Sequence, residues 1–183
     1  TVDGALDPSF GVGGVYFQAL TLDDHEITRR MAAQRRHDLV IYWLGANPHY
    51  AKLYTRDVKT VVDERRKDMP DLPILIMSPP DRPSQGKNSP SETVSQVVVR
   101  EMRAAAAASG TAFWPMRDAQ GGDGAGGRFL DHGLAVDKQH LSPEGSNLMA
   151  RTLLHELWTD YQRYLESHPR AGCDEPAAAA GHP

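Results

Sequence analysis

One cysteine stands in the 183 residues, Cys173, so no disulfide can close within the chain. No apolar run approaches the length of a membrane span. There is no basic surplus: the net charge is −4 with both signs mixed along the chain, which argues against a nucleic-acid or polyanion partner. No segment repeats and no linker sets off a second unit. The reading is one domain over residues 1–167 and a disordered Pro/Ala/Gly-rich tail over 168–183. His155-Glu156 has no second histidine three residues on, so the zinc-protease pattern fails and His155 reads as helix surface. Nothing in the sequence calls for a metal or a cofactor. No signal peptide is visible, but the chain starts at Thr1 rather than Met, so a periplasmic or extracellular location stays open, as does the oligomeric state.

What is present is an alternation of short apolar runs and amphipathic stretches. Residues 39–44, 74–77 and 111–114 read as strands, the first as one buried on both faces. A helix is expected from Asp23, with Glu26 as its capping-box acid, to about Arg36. A second is expected over 50–68, with Tyr50, Tyr54, Val58, Val61 and Val62 inward and its Lys and Arg residues solvated. A third starts at Ser89-Pro90 and closes at Gly110, with Val94, Val97, Val98, Met102 and Ala105 inward. The last runs from Pro143 to about Leu165, with Leu148, Leu153, Leu157, Tyr161 and Leu165 inward. Such alternation predicts an α/β fold with a parallel sheet covered on both faces. The long 78–90 loop leaves the carboxyl end of the second strand and is either a cleft wall or a mobile surface loop. Residues 121–127 contain Gly-x-Gly-x-x-Gly by count. They neither follow a strand directly nor open a clear helix, so they read as a flexible loop rather than a dinucleotide site.

Two stretches carry chemistry. In Val136-Asp137-Lys138-Gln139-His140-Leu141-Ser142-Pro143-Glu144-Gly145 a carboxylate and an imidazole lie three residues apart, just before a helix start. Asp137 can hold one ring nitrogen of His140 and fix its tautomer, leaving the other free to take a proton from a nucleophile. Ser142 suits the N-cap and Pro143 the first helical position, so the helix fixes the end of that loop. In Asp38-Leu39-Val40-Ile41-Tyr42-Trp43-Leu44-Gly45-Ala46-Asn47 an apolar strand runs into Gly-Ala-Asn. This puts Asn47 at a strand's carboxyl end, where open α/β sheets build their sites. Before Pro48 the same residue also suits a plain turn.

Together these stretches resemble the SGNH (GDSL-type) hydrolase family, and most of all its bacterial peptidoglycan O-acetylesterase-like branch. Leu-Gly-Ala-Asn47 is similar to the Gly-x-Asn block, and Asp137-x-x-His140-Leu-Ser-x-x-Gly to the last block. Ile74–Arg82 and Thr111–Asp118 are similar to the strands between them. The resemblance covers roughly residues 10–165 in the right order. It implies a three-layer α/β/α sandwich of the SGNH/flavodoxin-like kind, missing its first strand. It also implies acyl transfer by a serine, with His140 as base, Asp137 as its orienter, and Asn47 and the Gly14 N–H as oxyanion donors. Gly13 and Gly4 fit the glycine block less well. The family's Gly-Asp-Ser block is absent, and Ser9, five residues before Gly14, is a poor substitute. The implied substrate is a small-molecule or glycan ester with an acetyl or short acyl group. The alternative is a non-catalytic glycan-binding module of the same fold.

Overall fold

Parallel strands cannot be joined by a tight hairpin, so each step across the sheet needs a crossover, and here helices make them. The computed structural model describes residues 20–21, 26, 29–30, 37–44, 54–82, 94–138 and 140–168. Strands β1 (Val40–Trp43), β2 (Ile74–Met77) and β3 (Ala112–Trp114) form one parallel sheet in that order. Val40 pairs with Ile74 and Trp43 with Met77, while Leu75 pairs with Ala112 and Met77 with Trp114. Helix α1 (Tyr54–Asp68) connects β1 to β2, and α2 (Val94–Ala108) connects β2 to β3. After β3 come two short helices, α3 (Met116–Ala119) and α4 (Ala125–Asp131), then the long α5 (Pro143–Ser167).

The two-residue period of β2 divides the core. Ile74 and Ile76 meet Val58, Val61 and Val62 of α1 and Val98, Met102, Ala105 and Ala106 of α2. Leu75 and Met77 meet Trp114, Met116, Phe129 and Met149 on the opposite face. The result is the expected three-layer α/β arrangement. Val58, Val62 and Met102 are fully enclosed, each worth about 1.5–3 kcal/mol of burial. Ala105 and Ala106 carry nothing beyond Cβ, so α2 can sit close to α1 and the sheet.

Several local expectations need correction. β1 is not buried on both faces: Ile41 is 43% and Trp43 50% exposed. The second core draws its buried side chains from β2, β3 and the helices after them, and β1 lies beyond its edge. In α2, Val99 joins the buried stripe and Val97 is only half-buried. In α1 the cations are not all solvated decoration. The Arg66 guanidinium donates to the Ser109 and Gly110 carbonyls at 2.7 and 2.9 Å, tying α1 to the end of α2. The inward line of α5 is Gly145, Met149 and Leu153, while Leu148, Leu157 and Tyr161 are exposed. Glu156 extends that line, accepting from the Trp114 indole at 2.6 Å. His155 is on the surface as expected.

The glycine-rich segment is ordered and does open a helix. Gly121, Gly122 and Gly124 take positive φ angles of 114°, 68° and 76°, which turns the chain from α3 straight into α4. Arg128 closes the turn by donating to the Gly121 and Asp123 carbonyls. At the start of the 78–90 loop, Ser78 and Asp81 are buried, so this part is not a surface loop. Of the helix expected from Asp23 to Arg36, Glu26, Arg29 and Arg30 lie within the described residues and are helical, with Glu26 accepting from both arginines.

Candidate active site

Asp137 and His140 lie on a turn that its own backbone closes. The Val136 N–H donates to the His140 carbonyl at 2.9 Å, and Ala135 and Leu141 form an antiparallel bridge. Next along, the Ser142 N–H donates to the Leu134 carbonyl at 3.0 Å. The Ser142 hydroxyl accepts from the Gly145 N–H at 3.1 Å, the N-cap its sequence position calls for, with Pro143 following. Gly145 is required here by space: a Cβ on it would stand 1.9 Å from the Leu134 carbonyl oxygen. That close approach fixes the rotation of α5, which is why the helix turns Met149 rather than Leu148 inward.

Within this turn the Asp137 carboxylate makes the expected contact. Its Oδ2 lies 2.8 Å from His140 Nδ1, and its Oδ1 accepts from the His140 backbone N–H at 2.8 Å. An ionised carboxylate only accepts, so Nδ1 must carry the proton and the neutral ring presents a bare Nε2. Nε2 has no hydrogen-bond partner among the described residues. The pair is open to water, with side chains 71% and 54% exposed for His140 and Asp137.

The turn stands at the carboxyl end of the sheet. His140, Asp137 and Leu141 share a small recess with Pro80 and Asp81, which follow β2, and Gln120, which follows α3. Beneath that recess lies a buried polar network. Arg117 Nε donates to Asp81 Oδ1 at 2.9 Å, with both side chains under 10% exposed. Asp81 Oδ2 accepts from the Gly126 N–H in the first turn of α4 at 3.2 Å, and the Asp81 N–H donates to Gln120 Oε1 at 2.7 Å. The Ser78 hydroxyl accepts from the Arg117 N–H at 3.2 Å. Arg117 also bonds Asp123, and that hydrogen bond together with the positive charge holds the Asp123 carboxyl below its usual range.

This network locks the Pro79-Pro80-Asp81 segment to α4. The other end of α4 feeds the dyad turn, where the Phe129 carbonyl accepts from the Leu134 and Ala135 N–H groups at 2.7 and 3.1 Å. Asp81, Arg117 and Gln120 were not singled out in the sequence. The available signal was two prolines after a fully buried strand, which leave the following aspartate little freedom. Of the four site residues read from the sequence, the structure brings Asp137 and His140 together. Asn47 and Gly14 lie outside the described residues, as do Ser9, Gly13 and Gly4.

Among the described residues no group of three or more His, Cys, Asp and Glu could hold a metal ion, and no helix is long and apolar enough to cross a membrane. No family model and no curated protein matches the sequence. Solved structures do match. A peptidoglycan O-acetylesterase aligns with a TM-score of 0.65 at 24% identity, over 74% of this chain and 41% of that one. A structural-genomics target from Lactobacillus plantarum aligns with a TM-score of 0.52 at 17% identity, over 76% of this chain and 72% of that one. The chain therefore spans less than half the length of the acetylesterase. At such identities the likeness is one of architecture: this chain has a parallel α/β fold, consistent with the SGNH/flavodoxin-like kind and shared with a solved peptidoglycan O-acetylesterase.

Proposed function

We propose that this chain carries the base of a serine ester hydrolase that removes acetyl or short acyl groups from carbohydrate, peptidoglycan esters included. The observation that carries the reading is the 2.8 Å contact between Asp137 Oδ2 and His140 Nδ1 at the carboxyl end of a parallel sheet. In this reading, Nε2 takes the proton of a serine hydroxyl as its oxygen attacks the ester carbonyl. The same proton then goes to the leaving alcohol, and a second cycle with water frees the acid. Asp137 keeps the ring in the required tautomer and stabilises the imidazolium without taking the proton itself. The side-chain amide of Asn47 and the N–H of Gly14 are the proposed oxyanion donors. One such donor is worth about 3 kcal/mol in the transition state. The solved acetylesterase of the same architecture supports the choice of acetyl esters.

The nucleophile is the part this reading leaves to be located, because no Gly-Asp-Ser occurs in residues 1–183. The test uses the full natural gene product. It is treated with a serine-directed fluorophosphonate, the labelled serine is mapped by mass spectrometry, and hydrolysis of an aryl acetate is measured. Labelling that disappears in His140→Ala, together with a loss of at least about 10³-fold in kcat, is the expected result. A folded protein with neither label nor activity would instead make the domain a glycan-binding module.

A further inference from the structure

The recess beside His140 is lined by a largely buried side chain whose donor has no partner among the described residues. Gln120 is 8% exposed, and its carboxamide is oriented without ambiguity. The Asp81 N–H donates to one end of it at 2.7 Å, so that end must be the oxygen. The amide nitrogen therefore points away from the Asp81 backbone, and it has no hydrogen-bond partner among the described residues. It is not sealed in either: Ser109 Oγ alone is both enclosed and unpartnered among them. The carboxamide is thus held in one orientation by a largely buried side chain, with its donor end left reachable from the recess. Its side chain lines the recess that His140 lines.

We infer that Gln120 is a substrate-binding residue, and that its amide donates to an uncharged oxygen on the sugar portion of the ester. The inference rests on the esterase reading, in which the acyl carbonyl is already assigned to Asn47 and Gly14. The alcohol portion is then what remains for a second donor near His140. An uncharged acceptor is indicated because the donor is neutral and the charged groups lining the same recess, Asp81, Asp137 and Lys138, give it no surplus of positive charge. Pro80 and Leu141 give it apolar walls against which a sugar's C–H face can rest.

The experiment is a nitrogen–proton NMR titration of the protein with an O-acetylated N-acetylhexosamine methyl glycoside and, separately, with the same sugar lacking the O-acetyl group. Both sugars are expected to move the Gln120 side-chain amide signals, and the acetylated one the His140 ring signals as well. Gln120→Glu keeps the acceptor for the Asp81 N–H and deletes the donor. It is expected to weaken binding about three- to tenfold, the worth of one neutral hydrogen bond. If that variant does not fold, the wild-type amide shift decides alone. A moving His140 with a still Gln120 amide overturns the role of Gln120 and leaves the esterase reading standing. An amide that responds only to the acetylated sugar shows that it meets the acyl group, and overturns the assignment to the sugar. Silence at both residues up to the solubility limit overturns this inference and the carbohydrate-ester reading together.

Discussion

Replacing Gly145 by alanine sets two opposite effects against each other, and the structure says which prevails. Alanine is the better helix former by roughly 1 kcal/mol, so an open site in the first turn of α5 would gain stability from the change. Gly145 is not open: its new methyl would lie 1.9 Å from the Leu134 carbonyl oxygen, where real side chains come no nearer than 3.0 Å. That oxygen belongs to the backbone and cannot rotate away. The start of α5 must instead lift from the Leu134 turn by about an ångström, at an overpacking cost of about 1–3 kcal/mol. Lifting it also loosens the Ser142 cap and the Ser142 N–H bond to Leu134, a further 1–2 kcal/mol or so. The net expectation is a loss of about 1–4 kcal/mol, or a fall in melting temperature of about 2–16 °C for a chain of this size. Urea unfolding followed by circular dichroism measures it. Gly127→Ala is the control, since a methyl there meets nothing within 4 Å and the φ angle is ordinary, so about 0.5–1 kcal/mol should be gained. A Gly145→Ala protein as stable as wild type would show that the contact relaxes freely and that α5 is not held by it.

Other substitutions test other parts of the fold. Ser109→Ala removes a buried hydroxyl with no partner among the described residues, so stability should hold or rise by up to about 1 kcal/mol, read from a thermal melt. Arg117→Met leaves the Asp81 carboxylate buried with its Nε partner gone, and should cost about 3–5 kcal/mol in chemical denaturation. In that same variant the Asp123 carboxyl should titrate closer to its ordinary value of 3.8, because the group that depresses it is gone. The sign follows from linkage. A carboxyl with a depressed folded value stabilises above its unfolded value and loses that contribution as the pH falls through the folded one. The gap between wild type and variant should therefore narrow on acidification below about pH 4, measured by denaturation at stepped pH.

The sheet and its crossovers were legible because their signals are local. Ile74–Met77 is apolar throughout and buried throughout, and Gly110 closes α2 with a φ of +60°. The pairing of Asp137 and His140 was legible for the same reason, since three residues and a helix cap determine it. What escaped depends on which surface faces which. The α5 sequence offers Leu148, Leu157 and Tyr161 as readily as Met149 and Leu153, and only the Gly145 contact with Leu134 selects between the two faces. The burial of Asp81 and Arg117 escaped because a lone aspartate after two prolines and a lone arginine after Trp-Pro-Met read as solvated until 36 residues of separation are closed in space. The order of the glycine-rich turn escaped because its glycines supply the bend while Arg128 and Asp81 hold it in place.

Because Asp137 and His140 share one short turn, closed by the Val136–His140 bond and the Ala135–Leu141 bridge, their mutual geometry does not depend on the rest of the molecule. The sheet and α4 decide only where the pair is aimed. Pairing and aim thus become separate properties, the first set inside the turn and the second set outside it. Damage to the distant packing would leave the imidazole paired with Asp137 while pointing it away from its target. The converse also holds: the turn together with the first residues of α5 is a portable carboxylate–imidazole unit. Grafted onto another rigid sheet edge, it would keep its pairing and need only to be steered.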